Sequence, residues 1–284
     1  MDRTGAVFWY CGKLATTTLI LLFVGAIIFW TLYEKKGALY EMSEWSQDTK
    51  YLIIITYLYL VSSYILTVLS VAYVFGAPML LDLMAHSPKN VIAVSLIIMT
   101  LITALLDYIP YNHKESLLKN GLWTLHSVIM GPAFSYFGAH ICIESVNKLF
   151  PALVIATMVS FTAPKDTYIE IKPYIKTLYS AVTITSLLCF LFNPPVNIIG
   201  ITLLTCNLFG GMILYFGVFV TNTQYMLAQV TQHNYDPVYT AAVMYLSTLN
   251  LFLRVAMYHV VELTEITHKD ECFQHQNEKT CSRI

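Results

Sequence analysis

A long run without charged residues restricts this chain to a membrane environment. Residues 177–235 contain no Asp, Glu, Lys or Arg, and the run is long enough for two helices of the roughly 20 residues needed to cross a bilayer. Within it stands Asn193-Pro194-Pro195, and proline interrupts a helix and favours a turn. We therefore predict two spanning helices joined by a tight turn at one membrane face.

The composition of the whole chain agrees with this interpretation. Of its 284 residues, 57% are hydrophobic and 12% are charged, and the mean hydropathy is +0.62. A soluble domain carries roughly twice that share of charged residues. The formal net charge is −1, and no basic stripe suggests nucleic-acid binding. We expect the lipid bilayer to be the main partner of the chain.

The distribution of charges divides the chain into eight apolar segments. They lie at about 14–33, 51–75, 90–109, 121–141, 145–163, 175–193, 196–221 and 238–261. The first segment resembles a signal peptide but lacks a clear cleavage site, which favours a retained helix. We predict an all-α, polytopic membrane helix bundle of seven to eight transmembrane helices. Seven is the alternative if the first is cleaved or another fails to cross.

Basic residues predict how the spans are oriented, because loops rich in Lys and Arg generally stay in the cytosol. Loops on the N-terminal side carry Arg3, Lys13, Lys89 and Lys148. The opposite loops carry Lys35, Lys36, Lys50, Lys114, Lys119, Lys165, Lys172 and Lys176. We expect the loops at 33–51, 109–121 and 163–175 to be cytosolic, and both termini to be lumenal or extracellular.

The cysteines fall into two groups. Cys142, Cys189 and Cys206 lie in apolar segments and are expected to act as packing residues. Cys272 and Cys281 share a polar tail, where they form a disulfide if the tail lies in an oxidising compartment. The alternative is a pair of free thiols.

Polar side chains recur deep in two apolar helices of the segment 210–258. They are Asn222, Thr223 and Gln224 in the first helix, and Ser247, Thr248 and Asn250 in the second. A polar group in hydrocarbon costs free energy unless it is partnered, so such residues normally face the bundle interior or a wet cavity. We predict that the functional site lies in this helical hairpin.

Each polar residue of the hairpin also has a structural interpretation. Asn222 and Ser247 either line a polar pore or form an interhelical hydrogen bond worth roughly 0.6 kcal/mol, which is the favoured alternative. Asn250 is expected to be an interior polar residue that serves helix packing rather than ligand binding. Asp236 precedes Pro237 and is expected to cap a helix rather than to capture an ion. Arg254 either pairs with an acid or, as we favour, snorkels to the interface.

The hairpin resembles the last two spans of the Bax inhibitor-1 (transmembrane Bax inhibitor motif) superfamily. The resemblance lies in NTQ at 222–224, NYDP at 234–237 and MYLSTLNLFLR at 244–254. Lys119-Asn120, the SYFG at 135–138 and the turn at 193–195 are similar to earlier parts of the family. On this register 51–261 is the seven-helix core, 1–50 an extra transmembrane segment with a charged linker, and 262–284 a polar tail. HSPKN at 86–90 offers a competing register in which 14–33 is the first core helix.

The chain departs from the family at the positions that matter for gating. In calcium-leak members, two buried aspartates face each other from the last two helices and share a proton. The matching positions here are Asn222 and Ser247. Two close carboxylates titrate as a coupled pair, and Ca²⁺ prefers carboxylate oxygens. The resemblance therefore implies a relative without pH gating, with Ca²⁺ kept as a candidate transported ion.

Three functions follow as hypotheses. The resemblance implies a non-enzymatic protein of the endoplasmic reticulum, Golgi or another endomembrane that modulates cell death, stress and calcium homeostasis, without a cofactor. The second hypothesis is a non-conducting scaffold that controls the trafficking or stability of other membrane proteins, as in diverged cytomegalovirus relatives linked to immune evasion. The third, a zinc-dependent membrane hydrolase, is disfavoured because the histidines lack metal-site spacing.

Overall fold

The computed structural model describes residues 3–111, 116–164, 167–192, 198–230 and 235–281. These residues form α-helices with two π-helical turns, Trp30–Glu34 and Cys206–Gly210, and only one isolated β-bridge. The α-helices are α1 Arg3–Phe29, α2 Ala38–Glu41, α3 Gln47–Phe75, α4 Pro78–His86, α5 Pro88–Tyr108, α6 Ser116–Val128, α7 Met130–Ser135, α8 Gly138–Thr162, α9 Lys172–Phe192, α10 Ile198–Thr205, α11 Gly211–Gln229 and α12 Pro237–Cys281. The all-α membrane bundle predicted from the sequence is confirmed.

Six helical stretches among the described residues are long and apolar enough to cross a membrane. They are Trp9–Glu34, Gln47–Phe75, Asn90–Tyr108, Gly138–Thr162, Thr202–Gln229 and Pro237–Glu262. Each overlaps at least one of the eight predicted segments. The segments at 121–141 and 175–193 correspond to α6 with α7 and to α9, so the count of seven to eight spans stays a prediction. The predicted turn at 193–195 lies outside the described residues.

The break between the fourth and fifth segments lies earlier than the sequence indicated. The sequence predicts a short polar break at Glu144 to Lys148, between the segments 121–141 and 145–163, but α8 runs without a break from Gly138 to Thr162. The chain turns instead at Tyr136 and Phe137, and Gly138 has a φ of +76°. That left-handed conformation suits glycine because it has no Cβ. The start of α8 is therefore set by the backbone conformation of Gly138 rather than by the polar residues that follow it.

Helix α12 forms the centre of the bundle, and α1 lies at its periphery. α12 packs against α3, α8 and α11. In its most apolar 18-residue stretch 61% of the residues are buried, whereas the corresponding stretch of the first span contains no buried residue. The buried core contains side chains from both halves of the chain, including Phe134, Phe219 and Tyr245. The hairpin singled out by sequence thus occupies the interior.

The linker after α1 is fastened to the bundle. Gly37 forms the isolated bridge with Pro164, and a Cβ at Gly37 would lie 2.3 Å from the carbonyl oxygen of Thr162. α1 itself packs against α8 and α10. The predicted N-terminal unit, 1–50, therefore contacts helices of the predicted core, and the division at 50 and 261 stays a prediction.

Candidate functional site

Asn222 on α11 and Ser247 on α12 contact each other across the two central helices. The Nδ2 of Asn222 donates a hydrogen bond to the Oγ of Ser247 over 3.1 Å, and that hydroxyl donates to the carbonyl of Val243 over 3.0 Å. Ser247 is buried and Asn222 is half-buried. Because an amide and a hydroxyl exchange no proton at physiological pH, this contact joins the helices without acting as a pH sensor.

The two other hairpin amides do not join this contact. Gln224 accepts a hydrogen bond from the N–H of Tyr168 over 2.8 Å and donates to the carbonyl of Pro164 over 3.2 Å. It therefore ties α11 to the segment that follows α8. Asn250 donates to the carbonyl of Leu246 in its own helix over 2.9 Å. Both amides satisfy backbone groups, which is a structural use of a polar side chain.

Hydroxyl groups connect α3, α6 and α12 in the bundle interior. The hydroxyl of Tyr245 shares a hydrogen bond with Thr67 and donates to the carbonyl of Ser127 over 3.2 Å. Tyr64 donates to Thr248 over 3.0 Å. This network was not predicted from the sequence. The sequence feature that indicates it is a polar stripe along α3, formed by the buried residues Thr56, Ser63 and Thr67. Their spacing of seven and four residues places them on one helix face.

The most deeply buried charge of the described chain was also missed. Lys119 is 1% exposed, and its ammonium group pairs with the carboxylate of Asp236 and donates to the carbonyl of Ile109. The assignment of Lys119 to the loop at 109–121 is wrong because the residue lies inside α6, whereas the cytosolic side of this loop stays a prediction. A buried charge needs a partner and further hydrogen bonds to offset its desolvation, and both are present.

Asp236 also caps the central helix. Its Oδ1 accepts hydrogen bonds from the N–H groups of Val238 and Tyr239, both over 3.1 Å, which is the geometry of an N-cap. Burial raises the pKa of the neighbouring Tyr235 to about 12, so its phenol stays protonated and shares a hydrogen bond of 2.7 Å with Thr56. One end of α12 is therefore anchored to both α3 and α6.

Arg254 is directed toward neighbouring helices, which differs from the snorkelling that we expected. Its Nη2 donates to the Oγ of Ser186 on α9 over 2.7 Å, and its guanidinium carbon lies 6.0 Å from the ring centroid of Tyr215. The Ser186 hydroxyl in turn donates to Asn207 over 2.8 Å. The side chain links α9, α11 and α12 because a guanidinium can serve several acceptors and an aromatic face.

Two further sequence predictions concern cysteines and metals. Cys142 is a free thiol that donates to the carbonyl of Phe134. The structure describes no side chain after Glu262, so the predicted Cys272–Cys281 pair falls outside the side chains that it describes. Within the described ranges, no group of three or more His, Cys, Asp or Glu residues is arranged to hold a metal ion.

The chain is similar to a named mammalian membrane protein. It is 26% identical over 244 residues to the growth hormone-inducible transmembrane protein of Rattus norvegicus, a match covering 82% of this chain and 70% of that protein. No protein-family profile and no solved structure matches the chain. Together with the long apolar helices, the similarity supports an integral, multi-pass membrane protein. It gives no support to a viral origin.

Proposed function

We propose that this chain is a non-enzymatic, multi-pass protein of the endoplasmic reticulum, Golgi or another endomembrane that modulates cell death and stress. Two lines support the proposal. The sequence is similar to a protein named as transmembrane and growth hormone-inducible. The bundle also buries the motif-bearing hairpin of α11 and α12 at its centre, which is where a site within the membrane has to lie.

The observation that carries the mechanism is the 3.1 Å contact between Asn222 and Ser247. The calcium-leak members of the resembled superfamily have two acids at these positions. A carboxylate pair shares a proton and changes its charge with pH, whereas an amide–hydroxyl pair keeps its charge constant. We therefore propose that any calcium leak through this protein is insensitive to pH.

A non-conducting scaffold, which controls the trafficking or stability of other membrane proteins, is the second candidate. The interior hydrogen bonds favour it, because Tyr245, Thr67 and Ser127 satisfy one another. Polar groups that are already paired offer an ion few free ligands to replace its hydration shell. In this candidate the protein acts through helix surfaces that face its partners.

Calcium flux from liposomes tests both candidates. The purified full-length chain is compared with Asn222→Asp/Ser247→Asp at two pH values, and Asn222→Asp alone serves as the control with one carboxylate. We expect the double variant to gain a pH-dependent leak, because only it has two facing acids. A wild-type leak that changes with pH contradicts the proposed mechanism. A wild-type leak of constant rate contradicts the scaffold, and folded but silent protein in every sample favours it.

A further inference from the structure

A cleft outside the hairpin contact lies between α1, α8, α11 and α12. It has a volume of about 310 Å³, which is in the range of small-molecule sites. Its walls are mainly aliphatic and aromatic, and they include Leu19, Ile20, Met212, Ile213 and Phe216. An apolar cleft of this kind in a membrane protein suits a hydrocarbon chain.

Two lysines stand at one end of this cleft. Lys13 on α1 and Lys148 on α8 are among its lining residues, and their side chains are 41% and 53% exposed. Their ammonium groups lie 5.3 and 5.2 Å from the ring centroid of the same Tyr258. Both ammonium groups therefore lie beside the same aromatic ring, and both side chains are accessible to a ligand.

The lysines share a single carboxylate. Glu262 lies 3.1 Å from the Nζ of Lys13 and 3.8 Å from the Nζ of Lys148. The nearby Glu144 instead faces His259 at 3.3 Å and His140 at 3.9 Å. Lys148 also lies 3.5 Å from the Nδ1 of His259. Each ammonium group has three donors, so these contacts leave at least one donor on each lysine for a ligand. The charged side chains that line the cleft itself are both positive.

The depth of the lysines in the bilayer matches a lipid headgroup. The stretch from Lys13 to Glu34 rises about 32 Å at 1.5 Å per residue, close to the hydrocarbon thickness of about 30 Å. At the same end of the bundle, Glu262 is the last residue of the membrane segment of α12. The lysines thus lie at the interface, and the apolar walls extend from them toward the bilayer centre.

We propose that this cleft binds an anionic phospholipid, with its phosphate held between Lys13 and Lys148 and an acyl chain against the apolar walls. A second, larger cleft of about 570 Å³ between α3, α8 and α12 has similar apolar walls but no charged side chain lining it. The charge at the rim is therefore what makes the smaller cleft selective for an anionic headgroup.

Native mass spectrometry of the full-length protein tests the proposal by counting retained phosphatidic acid against phosphatidylcholine. The test variant is Lys13→Gln/Lys148→Gln, and the matched control is Lys35→Gln/Lys36→Gln, which removes two exposed lysines elsewhere. We expect the test variant to lose roughly thirtyfold in affinity for phosphatidic acid, since each of the two basic residues contributes about 1 kcal/mol toward anionic lipid. An equal loss in the control variant means non-specific charge attraction and overturns the site.

A second pair of variants locates the acyl chain. Ala152 lines the cleft, so Ala152→Phe fills it, whereas Ala104→Phe adds the same ring at an exposed position of α5. We expect Ala152→Phe alone to weaken retention of phosphatidic acid several-fold while the helical circular dichroism stays unchanged. Equal retention by the two variants overturns the acyl-chain assignment. If millimolar inorganic phosphate displaces bound phosphatidic acid as effectively as further phosphatidic acid does, the ligand is a free phosphate and the lipid assignment is overturned.

Discussion

Among single side chains, those with a buried charge are expected to contribute most to the free energy of unfolding of this bundle. Lys119 and Asp236 are 1% and 18% exposed at their side chains, and the Lys119 ammonium has a second partner in the Ile109 carbonyl. The neutral contact of Asn222 with Ser247 is different, because losing it strands no charge. Hydrogen bonds between membrane helices average only about 0.6 kcal/mol.

This difference predicts the outcome of substituting Lys119. Replacing it by Met leaves the Asp236 carboxylate buried without its cation, which should cost about 3–5 kcal/mol of unfolding free energy. Lys119→Met/Asp236→Asn should recover part of that loss, because the stranded charge is gone. Denaturant unfolding in detergent measures both, with Lys36→Met as the exposed control. A single variant as stable as wild type would show that the pair is not desolvated.

The Asn222–Ser247 contact leads to a milder expectation. Ser247→Ala removes one acceptor and should lower the unfolding free energy by about 0.5–1.5 kcal/mol. Thermal unfolding in the same detergent measures the change, and Thr185→Ala is the matched hydroxyl deletion, because that half-buried hydroxyl bonds to carbonyls of its own helix, α9. A loss above about 3 kcal/mol would indicate that Ser247 belongs to a larger polar network than the one described.

At the scale of elements, α1 docks on the π-helical turn Cys206–Gly210. The ring of Phe209 approaches α1 so closely that a Cβ at Gly12 would lie 2.2 Å from it. Next to it, Trp9 stacks on Tyr258 with a centroid distance of 5.2 Å. Glycine therefore permits the approach, and aromatic stacking supplies contact energy beyond the buried area.

Glycine substitutions in α1 test this docking. Gly12→Val should destabilise the contact by about 1–3 kcal/mol, because the added side chain overpacks against Phe209. Gly25→Val is the control in the same helix, since nothing lies within 4 Å of a Cβ there. Hydrogen exchange of α1 should rise for the first variant only. Equal hydrogen-exchange rates of α1 in the two variants would mean that other contacts hold α1 in place.

At the scale of the whole molecule, the orientation in the membrane follows from charge. The excess of lysines in the loops at 33–51, 109–121 and 163–175 predicts that these loops are cytosolic. An N-glycosylation acceptor placed in that loop should stay unmodified in cells, whereas one placed after residue 281 should be modified. The reverse pattern would invert the topology and place the Lys13–Lys148 rim in the cytosolic leaflet.

The amino-acid sequence alone determined the class of the protein. Charge-free runs establish membrane helices because an unpaired charge in hydrocarbon is costly wherever it occurs. The Asp236-Pro237 pair marked a helix start, and the residues at 222 and 247 excluded an acidic pair. These are local properties, readable from composition and from neighbours in the chain.

Only the tertiary structure decided which polar groups meet. Lys119 and Asp236 are 117 residues apart in the sequence, so nothing local distinguishes this buried lysine from a loop lysine. Arg254 donates a hydrogen bond to Ser186 on a different helix. The left-handed backbone of Gly138 places the start of α8 earlier than the polar residues indicated. The physical reason is common to all three: desolvation and packing depend on which helices become neighbours, and folding sets those neighbours.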